Sequence, residues 1–147
     1  MSVDRSYIAE NDRERARLKA LVARMSDTDL AKAMPAGWTV ATVLGHLAFW
    51  DQRILALVEA SGRGVAPAPF DEGHVDWIND AGKPFLLALP PRKLAELSVA
   101  IAEAVDAKVA ALSDDFVTRN AKAGKLLNLN RAEHRKEHLD EIERLLA

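Results

Sequence analysis

Residues Thr39–Ala60 constrain the fold most. Val40, Val43, Leu44, Leu47, Trp50, Ile54, Leu57 and Val58 recur at spacings of three and four. That is the period of one helix face, not the two-residue alternation of a strand. Thr39 offers an N-cap side chain, and Ser61-Gly62-Arg63-Gly64 closes the run. An apolar stripe this long has to be covered by other elements.

The remainder of the chain supplies helices to cover it. Tyr7–Met25 carries Ile8, Leu18, Leu21 and Val22 among charges, and Ser26 with Asp29 forms a capping-box pattern for a short turn of helix. Pro90-Pro91 suits the first turn of a third long helix, whose apolar positions run Leu94, Leu97, Ile101, Val105, Val109 and Leu112. Arg131–Leu146, RAEHRKEHLDEIERLL, is a fourth. Between them, Asp71–Ala81 predicts a short extra helix cut off by Gly82 and Pro84. The stretch VAPAP after Gly64 is an extended connector suited to a lid or pocket rim, and residues 116–128 around Gly124 read as a loop. Four long amphipathic helices with short or medium links predict an all-α four-helix bundle, with residues 1–147 forming one domain.

Composition narrows the functions. With 20 Lys and Arg against 22 Asp and Glu, the net charge is −2, so no global field favours nucleic acid or an anionic membrane. No run reaches the roughly 18 apolar residues of a membrane span, and the N-terminus lacks a signal-peptide core, which sets the expected location as the cytoplasm. The chain has no cysteine. Disulfides, zinc–thiolate sites and a thiolate nucleophile are therefore excluded, and metal ligands must come from His, Asp or Glu.

The histidines then stand out. His134 and His138 are four apart on the terminal helix and stack on one face, together with Ile142 and Leu145. His46 has Val43, Trp50 and Leu57 as its helical neighbours, so it too faces inward. Each imidazole alone reads as a core histidine with a local partner. Three on inward faces of two helices favour a shared partner, because an unsatisfied buried polar group costs about 1–3 kcal/mol. His74 lies in a polar stretch and joins neither face.

GWTVATVLGHLAFWD, followed far downstream by HRKEHLDEIERLL, resembles the DinB/YfiT-like superfamily, including the N-terminal domain of mycothiol-dependent maleylpyruvate isomerases. SDTDLAKAMPAGWTV and DWINDA resemble the same group, so the likeness spans nearly the whole chain. It implies an up-down-down-up four-helix bundle, often dimeric, with a divalent metal, zinc or nickel, held by His46, His134 and His138. The implied reactions use a low-molecular-weight thiol of the mycothiol, bacillithiol or glutathione type.

Three neutral nitrogen ligands leave an ion an open position for water, thiol or a carbonyl. The leading expectation is a metal-dependent thiol S-transferase or isomerase acting on a small electrophile. The alternatives are a metal-assisted hydrolase and a non-catalytic bundle that holds a metal or ligand. Around the site, Glu141 is placed to orient an imidazole, with a surface pair to Arg144 as the plainer alternative. Trp50 reads first as bundle core and second as a substrate platform. Asn79 points an amide into a pocket or serves its helix end. Asp51, about 140° around the helix from His46, points elsewhere. The apolar faces allow a homodimer through the first or third helix.

Overall fold

The computed structural model describes residues 2–147, which form an all-α bundle. Seven α-helices follow in order: α1 (Ser6–Arg24), α2 (Asp27–Leu30), α3 (Val40–Gly62), α4 (Val75–Ala88), α5 (Pro91–Ala110), α6 (Asp114–Lys122) and α7 (Ala132–Leu146). Among the described residues the only β-type pairing is one bridge between Ala33 and Thr39.

Side-chain pairs fix the directions of the four long helices. The Tyr7 hydroxyl donates to the Val109 carbonyl, Arg15 pairs with Asp106 and Lys19 with Glu103, so α5 runs antiparallel to α1. Asn11 meets residues 131 and 132 while Arg17 meets Asp140 and Glu143, so α7 runs parallel to α1. Asp51 pairs with Arg131 and Arg135, and His46 approaches His134, which sets α3 antiparallel to α7. The arrangement is up-down-down-up.

The caps foreseen for α2 and α3 are in place. Ser26 and Asp29 bond reciprocally, and the Thr39 side chain accepts from the Thr42 amide while Thr42 bonds back. Pro91 opens α5 at its first position.

Three expectations need correction. Residues 116–128 are not all loop, because α6 spans Asp114–Lys122. Ser113 accepts from the Phe116 amide, acids fill the first turn, bases the last, and Val117 is buried. The short helix expected over Asp71–Ala81 starts at Val75 and runs through Gly82 and Pro84 to Ala88. Pro84 removes one helical hydrogen bond, but Asp80 and Pro84 are both exposed, so water can serve the freed carbonyl. Finally, Leu97 and Leu145 are 44% and 40% exposed. The buried stripe of α5 uses Ala95, Ser98 and Ala102 instead, and that of α7 is Ala132, Arg135, Leu139 and Ile142.

One apolar cluster packs Leu18, Leu21, Leu30, Leu44 and Leu139 at one end of the bundle, and a second packs Ile54, Val58, Val105, Val109 and Leu127 at the other. An ionic cluster also lies in the interior. The Arg135 guanidinium, fully buried, contacts Asp51 at 3.0 Å and Asp106 at 2.7 Å. Arg131 pairs with Asp51 at 2.8 Å and Arg15 with Asp106 at 2.7 Å. Asn11 completes the join, its Oδ1 accepting from the amides of Arg131 and Ala132 and its Nδ2 donating to the Leu129 carbonyl. The first turn of α7 is thus capped by a side chain from α1 rather than by its own Arg131.

Candidate metal centre

The histidine face of α7 lies next to its core stripe, not on it. His134 and His138 precede Arg135 and Leu139 by one residue each, about 100° around the helix, and this turns them from the packed interior toward α3. His46 comes from the opposite direction, one residue after the buried Gly45. An added Cβ at Gly45 would sit 2.9 Å from methyls of Leu86 and Leu94. Glycine therefore lets α4 and α5 approach α3 closely beside the histidine.

The three rings converge. His46 Nε2 and His134 Nε2 are 3.0 Å apart, and one ligand atom from each of His46, His134 and His138 lies within 4.8 Å of the others. Burial lowers the pKa of His46 to about 4, with the charge of His138 acting in the same sense and the Asn79 side chain against it. His134 falls to about 2, first through burial and then through the charges of His46, His138, Arg131 and Arg135. Both rings are neutral at pH 7. They form part of the wall of a cavity of about 600 Å³, together with Trp38, Trp50, Asn79, Arg131 and Glu141.

The chain matches the family model described as the mycothiol maleylpyruvate isomerase N-terminal domain over residues 12–144. It belongs to that family. No curated protein and no solved structure matches it.

In this member of the isomerase N-terminal domain family, the donor set fits a divalent ion. Separations of 3.0 Å and up to 4.8 Å bracket the ~3.3 Å expected between nitrogens on a tetrahedral ion with bonds of about 2.0–2.1 Å. His46 and His134, both neutral, already have the protonation state a ligand needs. On the third ring, His138 Nδ1 is buried with no hydrogen bond, and the nearest carboxylate oxygen, on Glu141, is 3.6 Å away. The gap is too long for a hydrogen bond. Glu141 is therefore beside the imidazole it was expected to orient, but not bonded to it.

Trp50 departs from the bundle-core assignment. It is half-buried, its Nε1 donates to Asn79 Oδ1 at 2.8 Å, and both side chains line the cavity. Asn79 is thus held by tryptophan rather than by its helix end. Asp51 faces the buried arginines, as its angle on the helix indicated. His74 is exposed, next to Asp71 and Trp77, and takes no part in the cavity. The VAPAP connector leads to Phe70, which packs on Trp50 and walls a neighbouring cavity rather than this one.

Other lining residues were not singled out from sequence. Arg131 and Glu137 are each three residues from His134, on the same helix surface, so their spacing carried a signal. Met34, Pro35, Glu72 and Asn128 reach the cavity from loops and short turns, where periodicity gives no direction.

Proposed function

We propose that the protein is a metal-dependent thiol S-transferase or isomerase that joins a low-molecular-weight thiol, of mycothiol type, to a small electrophile. The observation that carries this is the convergence of three histidine nitrogens, from two helices far apart in sequence, on the wall of a ligand-sized cavity. Membership in a family described by mycothiol and maleylpyruvate isomerisation supports the thiol and the small substrate.

His46, His134 and His138 would hold the ion, zinc or nickel. When bound, it supplies Lewis acidity that lowers the pKa of a coordinated thiol or polarises a carbonyl. The chain has no cysteine, so the sulfur must arrive with a cosubstrate. The remaining roles fall to side chains. Asn79, locked through its carbonyl oxygen by Trp50, keeps its amide N–H groups free for a ligand acceptor. Trp38 and Trp50 provide apolar walls that exclude water, while Glu141 is within a small side-chain movement of His138 Nδ1 and would fix its tautomer.

Protein purified without a nickel column should carry close to one divalent metal per chain by elemental analysis. His46→Ala and His138→Ala should each remove it; metal retained by both variants would rule out the three-histidine site. A small electrophile should then disappear only when mycothiol or a related thiol is supplied. Metal-dependent consumption without any thiol would instead identify a hydrolase.

A further inference from the structure

A second cavity, of about 280 Å³, adjoins the histidine cavity and shares Trp50, Glu72, Asn128 and Arg131 with it. Arg53 lies on its wall. His46, Trp50 and Arg53 fall at i, i+4 and i+7 on α3, so they form one stripe. The seven-residue step turns about 700°, nearly two full turns, and advances about 10 Å. A small molecule anchored near Arg53 would therefore reach the histidines.

Arg53 is unusual among the arginines. Arg5, Arg15, Arg17, Arg92, Arg131 and Arg135 are all at least partly buried, and each makes an ion pair. Arg53 is partly buried as well, yet among the described residues no carboxylate comes within 4.0 Å and no hydrogen bond reaches its guanidinium. It lies instead over aromatic rings, its Cζ 4.2 Å from the Phe70 ring centroid and 5.9 Å from that of Trp50. Stacking on aromatics leaves the in-plane N–H donors unused. Burial and the nearby charge of Arg131 both lower its pKa, the direction expected of a cation without a counter-ion. Lys125 lines the same cavity. Arg131 adds little free charge because Asp51 holds it. Glu72 also lines the cavity and opposes an anion, but it forms no pair with Arg53.

We propose that Arg53 anchors an oxyanion subsite, which takes a carboxylate or phosphate group carried by the electrophile or by the thiol cosubstrate while its reactive end lies at the histidines. The location of the reacting end rests on the function proposed above; the anion site itself does not.

The test is an NMR titration of the full chain, following the Arg53 Nε–H and the Trp50 indole N–H, with acetate, inorganic phosphate and the neutral isostere acetamide. Acetate, phosphate or both should give saturable shifts at both groups, and acetamide should give none. Saturation by acetate alone would assign a carboxylate source, and by phosphate alone a phosphate source. Arg53→Gln should weaken binding at least ~10-fold, as loss of charge-assisted hydrogen bonds implies. Glu72→Gln, an exposed change, should tighten it. Shifts that do not saturate, that centre on Lys125, or that survive Arg53→Gln would overturn the subsite. Comparing untreated with chelator-treated protein separates the two ideas: saturable anion binding in both, with no metal and no thiol turnover in the untreated protein, would leave this site standing and the metal function refuted.

Discussion

Replacing Arg135 with methionine tests how α7 is held against the bundle. The wild-type guanidinium is fully buried and bridges Asp51 on α3 and Asp106 on α5. Methionine fills similar volume but leaves two carboxylates that are each 3% exposed. Breaking a buried ion pair costs about 3–5 kcal/mol, because the abandoned charge stays desolvated. Here each carboxylate keeps one cation, Arg131 for Asp51 and Arg15 for Asp106, which places the loss near the lower end, about 3 kcal/mol. At roughly 2–4 °C per kcal/mol for a chain of this size, melting should fall by about 6–12 °C. Urea denaturation followed by far-ultraviolet circular dichroism, with chelator in both samples, gives the difference free of metal linkage. Adding Asp106→Leu should recover part of the loss, since Arg15, 27% exposed, can turn to solvent. A single-variant loss below about 1 kcal/mol would refute the reasoning, for that is close to what an unimportant surface change produces.

Asn11→Ala should cost at least the ~1–2 kcal/mol of a lost helix cap, measured by the same denaturation, and an unchanged midpoint would show that α7 does not depend on α1 for its first turn. Two helix-interior glycines should respond oppositely. Gly82→Ala meets nothing within 4 Å and should gain about 0.5–1 kcal/mol, whereas Gly45→Ala should lose about 1–2 kcal/mol by crowding Leu86 and Leu94; equal responses would contradict the packing described beside His46. Acid sensitivity should involve Arg17, whose hydrogen bonds hold Glu143 below its ordinary 4.5 and, after the larger effect of Lys136, help hold Asp140 below its ordinary 3.8. Their folded-state pKa values are depressed, so their contribution is complete above about pH 4.5 and is lost as pH falls through the lowered values. Arg17→Gln should flatten that acid limb, and an unaltered slope would assign the acid transition to other groups.

The fold was readable where period and caps agreed. Thr39 with Thr42, Ser26 with Asp29, and Pro91 each mark a helix start through local chemistry that needs no tertiary information. Helix α6 had the same kind of signal in Ser113-Asp114-Asp115, but with a single buried apolar residue, Val117, its period was too weak to read. Helix α4 buries none of its residues fully, so half-buried Gly82 and exposed Pro84 carried more weight in the sequence than positions outside the core warrant. The three histidines were legible because imidazoles at helical spacing among leucines are out of place. Asn11, Asp51, Asp106, Arg131 and Arg135 were not, because a polar or charged residue on a helix reads as solvated until its partner, 29 to 121 residues away, is brought to it.

Those unread residues explain the histidines' placement. A metal or ligand site needs polar atoms facing a cavity on elements that do not shift, and apolar packing alone fixes helix rotation poorly. Along α7, core and site alternate: Arg131 and Arg135 are clamped to α3 by Asp51, while His134 and His138 stand about 100° away toward the same helix. Directional ion pairs resist both rotation and sliding, since either would leave Asp51 desolvated and unpaired. The interior charges, costly as they are, therefore set the register in which His46 meets His134 and His138. Loosening Arg135 should thus widen the spread of the three imidazoles before it unfolds the bundle. Histidine side-chain NMR of the Arg135→Met variant under folding conditions would detect this, and unbroadened, unshifted imidazole signals would show that apolar packing alone holds the register.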